Sequence, residues 1–322
     1  MTSQPLTSSD CVELAVVERS GMVESRHLGA AIVLAPDGSV LRMLGDADAL
    51  IYPRSSLKPV QAVAVLRSGV PLDAEQLVLA TASHAGTAEH QRVASEILAR
   101  AGLREDDLGC PADWPSDAAA AATARTSGGR RRLAMNCSGK HAAFLLACAH
   151  NGWSTDDYLD PLHPLQRTIR ATVEEFTGSP VGHLGTDGCG APLFGITLRG
   201  LATAISRVAM AAEESTARLA AAIRAHPWAI DGPGRANTIV IEELGLIAKL
   251  GAEGVNVMAT PDGTTVAVKM LDGNGRATTL VALELLASVG AIDASRITSV
   301  VERTTEKVLG GTEPVGELRI AF

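Results

Sequence analysis

Only five lysines stand among the 28 basic residues of this 322-residue chain. Arginine keeps its proton in any protein environment, whereas lysine loses it once burial or a neighbouring positive charge depresses its pKa. Where arginine supplies ordinary positive charge, each retained lysine is a candidate for chemistry. One closes Arg54-Ser55-Ser56-Leu57-Lys58, the only Ser-x-x-Lys in the sequence. Three residues apart on the first turn of a helix, Ser55 and Lys58 share a face. The positive field of a helix N-terminus favours a neutral Lys58 able to take the Ser55 proton, and its free N–H groups suit a developing oxyanion. A serine nucleophile with a lysine base needs no histidine. The plainer reading has Ser55 capping the helix and Lys58 solvated, and the tetrad alone does not decide between them.

Three further segments bear on chemistry. Thr81-Ala82-Ser83-His84-Ala85-Gly86-Thr87 sets a Ser and a His among small residues ahead of a helix. It makes a site wall, or more plainly Thr87 caps the helix and His84 lies at the surface. Met135-Asn136-Cys137-Ser138-Gly139-Lys140-His141 and Gly185-Thr186-Asp187-Gly188-Cys189-Gly190-Ala191-Pro192 each hold one Cys in a Gly-containing turn that opens a helix. Helix N-termini favour the thiolate. Cys137 and Cys189, with His141 or Lys140 and Asp187, can assemble a soft-ligand zinc site. The spacing matches no standard structural zinc pattern, and two buried free thiols are the simpler alternative. Asp231-Gly232-Pro233-Gly234-Arg235 reads first as a tight turn and second as a loop presenting Arg235 to a carboxylate.

These segments need a frame. Residues 11–18 read as a strand, and Ala30–Leu34, Pro36-Asp37-Gly38 and Val40–Leu44 as strand, turn, strand. The same grammar returns at Val255–Ala259, Pro261-Asp262-Gly263 and Val266–Met270. Hairpins at both ends of the chain around a helical middle predict one antiparallel sheet built from both termini. Helices are expected near 56–68, 88–102, 117–125, 139–150, 163–177, 191–212, 215–225 and 277–289. Segment 103–136 is the irregular one and reads as a flexible insertion, its Arg130-Arg131-Arg132 run as a solvated loop.

Composition bounds the rest. At 46% hydrophobic residues the chain can bury a large core, and with 3% aromatics that core must be Ala, Leu and Val. A net charge of −8 argues against nucleic acid as the main partner. The Ala-rich stretches are too short or interrupted to cross a bilayer. Residues 1–20 carry no secretory pattern, so a cytoplasmic protein is expected. Five widely spaced cysteines in a reducing compartment argue against a disulfide framework.

In this order, Arg-Ser-x-x-Lys-Pro, Ser-His-x-Gly, Asn-Cys-Ser-Gly-Lys-His and Asp-Gly-Cys-Gly resemble the L-asparaginase II family of Rhizobium-type asparaginases. The resemblance implies an α/β fold like that of serine β-lactamases and glutaminases: an antiparallel sheet built from both ends of the chain, with helices packed on it and an all-helical part beside it. One domain would span 1–322, its sheet part about 1–60 and 250–322 and its helical part about 61–249. It further implies two catalytic Ser-Lys pairs, Ser55 with Lys58 and Ser83 with Lys269. Arg54, His141 and Asp187 would meet the substrate, L-asparagine, and a zinc would be held by Cys137, Lys140 and Cys189. A homodimer without nucleic-acid or membrane partners is expected. One departure stands at Leu250, where a small hydroxyl residue is expected; it puts substrate affinity or selectivity in doubt. Rival readings are a glutaminase and a zinc- or amino-acid-binding homologue that has lost catalysis. The lack of Ser-Asp-Asn and of Lys-Thr-Gly argues against a β-lactam enzyme.

Overall fold

The computed structural model describes residues 4–322, so the first three residues of the expected span lie outside it. Among the described residues eleven strands form two sheets: β1 (Val12–Arg19), β2 (Met22–Leu34), β3 (Val40–Leu44), β4 (Leu50–Ile51), β5 (His183–Thr186), β6 (Pro192–Thr197), β7 (Ile247–Gly251), β8 (Val255–Ala259), β9 (Thr265–Met270), β10 (Val308–Gly310) and β11 (Glu313–Ile320). The helices are α1 (Lys58–Arg67), α2 (Ala74–Thr81), α3 (Ala88–Arg100), α4 (Ala118–Ser127), α5 (Ser138–His150), α6 (Pro164–Thr177), α7 (Leu198–Met210), α8 (Glu214–Ala225), α9 (Ala236–Leu244), α10 (Thr278–Ser288) and α11 (Ala294–Thr304).

The main sheet runs β10-β11-β1-β2-β9-β8-β7, every pairing antiparallel, with β3 also on β2. The expected sheet from both ends of the chain is therefore present, and β2 is the seam. Its first half pairs with β1; its second half pairs with β3 on one edge and β9 on the other. β8 is buried at every position because α7 and α10 both pack on β8 and β9. A smaller sheet, β4-β6-β5, carries the turn that leads to Cys189.

Several elements depart from expectation. The helix read over 191–212 is a strand followed by a helix: β6 runs to Thr197, whose side chain accepts from Gly200 N and caps α7. A short apolar run fits strand or helix equally well, and the cap sets the boundary. Strand β7, the edge of the sheet nearest the site, and the closing strand β11 have no counterpart among the expected elements. In the irregular segment, Arg131 pairs with Glu105, and Arg132 donates to the carbonyls of Leu108 and Cys110, so one arginine of that run is a structural tie. Among the described residues all five cysteines are free, and no helix is long and apolar enough to cross a membrane.

The β2–β9 seam leaves no room for a side chain at Gly29, where a Cβ would lie 2.1 Å from the Lys269 carbonyl oxygen. Gly29→Ala is expected to destabilise the protein by about 2 kcal/mol or more through overpacking, read as a lower urea midpoint; an unchanged midpoint would show that the seam is not rigid.

Candidate active site

Lys58 is the first residue of α1, with Pro59 behind it in the position that suits a helix start. Ser55 lies in the 3₁₀ turn Arg54–Leu57 just before it. The Lys58 N–H bonds to the Ser55 carbonyl, so the two residues stand three apart on a tight turn that brings side chains at that spacing together. Arg54 has a φ of 51°, a left-handed conformation that a non-glycine residue rarely adopts. Its guanidinium Nε donates to Asp187 Oδ1 at 2.8 Å.

Lys58 is 1% exposed and turns away from solvent. Its Nζ lies 3.2 Å from Ser83 Oγ and 3.1 Å from Cys137 Sγ, and it also donates to the Ala82 carbonyl. Its expected hydrogen bond to Ser55 is absent; the Ser55 hydroxyl has no partner among the described residues. Ser83 is the hub instead. Its hydroxyl also lies 2.9 Å from the Nζ of Lys249, a fully buried lysine on β7 that donates to the Leu250 carbonyl as well.

This corrects the second Ser-Lys pair. Lys269 sits on β9, two strands in from β7 and so about 10 Å away along the sheet. Its Nζ donates to the carbonyls of Glu253 and Met270, not to Ser83. Sequence reasoning misses Lys249 although it is another of the five scarce lysines. The available signal is Lys249-Leu250-Gly251 itself, a segment that stands out in the sequence only for its middle residue.

Two amines within hydrogen-bond reach of one hydroxyl lie no more than about 6 Å apart. Were both charged, they would repel by about 3 kcal/mol at an effective dielectric of 20, close to two pKa units. Burial together with the Lys58 charge pushes Lys249 down to about 7, against the opposing pull of Asp231 and Cys137. Lys249 therefore sheds its proton near neutrality, as a general base requires.

The cysteine segments meet beside Lys58. The Cys189 thiol donates to the Cys137 sulfur, and with the Lys58 and Lys140 charges this outweighs burial and holds Cys137 as thiolate. Lys140 Nζ is 3.1 Å from Cys189 Sγ; burial opposes its charge, but Cys189, Cys137 and Asp187 together raise its pKa. Asp187 resists burial in the same way, held below its ordinary value by Lys140 and Arg54. So Cys137, Lys140, Cys189 and Asp187 converge, and they reach Lys58 through the Cys137 sulfur. Among the described residues no three His, Cys, Asp or Glu side chains gather as a metal cage, so a metal here would depend on the lysine amine.

The histidines divide. His84 is buried, not at the surface: Gly86 N donates to its Nδ1, so Nε2 carries the proton and donates to Ser138 Oγ, which donates to the Leu133 carbonyl. Burial keeps it neutral, and it ties the Ser83 loop to the start of α5. Thr87 caps α3, as its plainer reading expects. His141 is fully buried with Nδ1 2.7 Å from the Tyr158 hydroxyl, which accepts from Gly109 N. The tyrosine proton then faces Nδ1, leaving His141 Nε2 buried without a partner.

The L-asparaginase II profile matches residues 15–320. The chain belongs to the L-asparaginase II family. No curated protein matches it. Similar solved structures include Mglu in its native form (16% identity, TM-score 0.38), over 82% of this chain and 64% of that one. A β-lactamase from Mycobacterium bovis (15%, 0.42) aligns over 86% and 95%, and a putative β-lactamase from Bacteroides dorei (15%, 0.44) over 82% and 92%. The chain thus spans a little under two thirds of Mglu.

The titration of Lys249 has a consequence for this family member's stability. An unfolded lysine holds its proton up to its ordinary value near 10.5, whereas folded Lys249 loses it near 7. The unfolded state thus binds one more proton between those values, and stability rises with pH across that window. Lys249→Met should flatten this rise in urea unfolding between about pH 7 and 9; an identical slope in both proteins would mean Lys249 is not depressed.

Proposed function

We propose that the protein hydrolyses L-asparagine to L-aspartate and ammonia through a serine acyl-enzyme. The observation that carries this reading is the Ser83 hydroxyl shared between Lys58 and Lys249, with Ser55 on the adjoining turn. Ser55 attacks the side-chain amide carbon, and its proton passes by way of the Ser83 hydroxyl to Lys249, the amine that is neutral above about pH 7, while the charged Lys58 holds Ser83 in place. The Ser55 N–H, at the start of a 3₁₀ turn and without an acceptor in that turn, faces the developing oxyanion. Lys249 returns that proton through Ser83 to the departing nitrogen, and ammonia leaves a β-acyl ester on Ser55. Lys249, again neutral above about pH 7, then takes a proton from the water that deacylates the ester and returns it to Ser55 as aspartate leaves. The Arg54–Asp187 pair offers one cation and one anion to the α-carboxylate and α-ammonium of the substrate.

Gly251 supports this arrangement. A Cβ there would lie 2.7 Å from the Pro53 carbonyl oxygen and 3.4 Å from Ser55 N, so only glycine lets the β7 edge press against the nucleophile turn. Leu250 bears on the site through its backbone, whose carbonyl accepts from Lys249.

The same reading includes zinc. Two sulfurs, one of them thiolate, with an amine and a carboxylate, suit a borderline-soft cation. Cys137, Lys140 and Cys189 would hold it, Lys140 after losing its proton, and its charge would orient the amino-acid end of the substrate. Metal content should fall in Cys189→Ala relative to the parent protein; equal stoichiometry would remove Cys189 from the ligand set.

The reaction is tested by ammonia release from L-asparagine and, separately, L-glutamine. Turnover of asparagine should rise with pH through about 7 and fall at least ~10³-fold in Ser55→Ala. Ser83→Ala and Lys249→Met should each lose ~10²- to 10⁴-fold. Acyl-enzyme formation persisting in Ser55→Ala would move the nucleophile to Ser83. No release from either amide by folded, zinc-supplied protein would overturn the reaction.

A further inference from the structure

Lys249 lies on an edge strand, and an edge strand has one row of backbone groups without a sheet partner. That row is not left free here. Leu250 N donates to Asn237 Oδ1 at 2.9 Å, and Asn237, only 2% exposed, sits at the start of α9. Its Nδ2 donates to Asp231 Oδ2 at 3.1 Å, which fixes which end of the amide faces β7. Asp231 is itself buried, and its other oxygen accepts from Arg235 Nε at 2.6 Å. On its far side the same loop is bonded to the Ser83 segment: Ser83 N donates to the Ile230 carbonyl at 2.9 Å and Ala85 N to the Asp231 carbonyl at 2.7 Å. One short loop thus grips both halves of the Ser83–Lys249 pair, the serine through its own backbone and the lysine strand through Asn237.

We propose that Asp231 and Asn237 are positioning residues that set the spacing between Lys249 and Ser83. The Asp231 carboxylate, tied through Asn237 to the backbone next to Lys249, gives the same arrangement an electrostatic half. The loop first reads as a plain turn, but a plain turn does not require a buried carboxylate hydrogen-bonded to a buried amide that reaches a third element. The groups whose charges bear on Lys249 are Lys58, which opposes its proton, and Asp231 and Cys137, which favour it. Removing the Asp231 charge therefore tips Lys249 further toward the neutral amine. Removing the Asn237 amide leaves the Leu250 N–H unpaired and frees the strand to move relative to Ser83, while the charges stay in place. The two substitutions have separable signatures.

The inference rests on the proposed Ser-Lys chemistry, so its test has a readout that works without turnover. With five lysines, protein carrying ¹³C-labelled lysine gives five ε-carbon signals, and the signal absent from Lys249→Met is that of Lys249. In the parent protein that signal should titrate near 7. In Asp231→Asn, whose amide oxygen can still accept from Asn237 but whose NH2 no longer accepts from Arg235, the midpoint should move down by about half a pH unit or more, and the acid limb of amide turnover should move with it. In Asn237→Ala the midpoint should shift less than in Asp231→Asn, while kcat falls ~10- to 100-fold with little change in KM, as for a displaced catalytic group. Asn237→Ser, which keeps a shorter acceptor, should recover part of that loss. An unmoved Lys249 midpoint in folded Asp231→Asn overturns the electrostatic half. Unchanged kcat in folded Asn237→Ala overturns the positioning half. If the parent turns over no amide, the Lys249 midpoints still decide the electrostatic half. The positioning half is then decided by the nuclear Overhauser effect between the labelled Lys249 side chain and Ser83, which should vanish in Asn237→Ala; its persistence at parent strength overturns that half.

Discussion

Three wholly buried lysines converge on one small region, and that is the constraint around which the site is built. Lys58, Lys140 and Lys249 are each 2% exposed or less. A buried ammonium without a partner costs several kcal/mol, so each must be neutralised, paired or deprotonated. The structure uses all three solutions. Lys140 is paired, surrounded by Cys189, Cys137 and Asp187. Lys58 faces the Cys137 thiolate. Lys249, pushed down by burial and by the Lys58 charge, gives up its proton near neutrality. The cysteines are therefore more than candidate metal ligands. Cys137 is also the counter-charge that allows Lys58 to sit beside a second amine, which links the sulfur cluster to the serine chemistry through one 3.1 Å contact.

The scarcity of lysine is an informative signal. Four of the five lysines are buried or partly buried, and only Lys307 lies exposed. Which lysine serves which serine is not legible in the sequence, for a geometric reason. Lys249 and Lys269 share a face of the sheet, since Lys249 pairs with Val257, Val257 with Ala267, and Lys269 lies two residues further along β9. Alternation within each strand does not reveal that shared face, which depends on the order and register of β7, β8 and β9. The order β9-β8-β7 puts Lys249 on the edge beside the Ser55 turn and leaves Lys269 two strands inside. Without β7 among the expected strands, the nearer lysine has no place in the sheet.

The same limit explains the rest. The two hairpins and their union in one sheet are legible because Pro-Asp-Gly turns between apolar runs are local signals. The helix at 164–177 is legible from its apolar stripe and the left-handed Gly178 that ends it. His84 reads wrongly as a surface residue because burial is a property of the assembled core, which a run of small residues does not reveal. Arg54 shows the converse. Nothing local marks it as strained, yet its left-handed backbone sends its guanidinium across to Asp187, 133 residues away.

The edge of β7 is where the serine turn and the buried loop meet. An exposed sheet edge is ordinarily a liability, since its unpaired backbone groups invite another chain. Here the edge is covered on one side by the Ser55 turn packing on Gly251 and pinned on the other by Asn237. The covering that protects the edge also brings a serine to it, and the pin that satisfies its backbone also fixes the lysine. Capping the edge and assembling the Ser-Lys cluster are then a single packing solution. A change that loosens the edge is felt first as misalignment of Lys249 and Ser83, while the core beneath β8 and β9, covered by α7 and α10, stays intact.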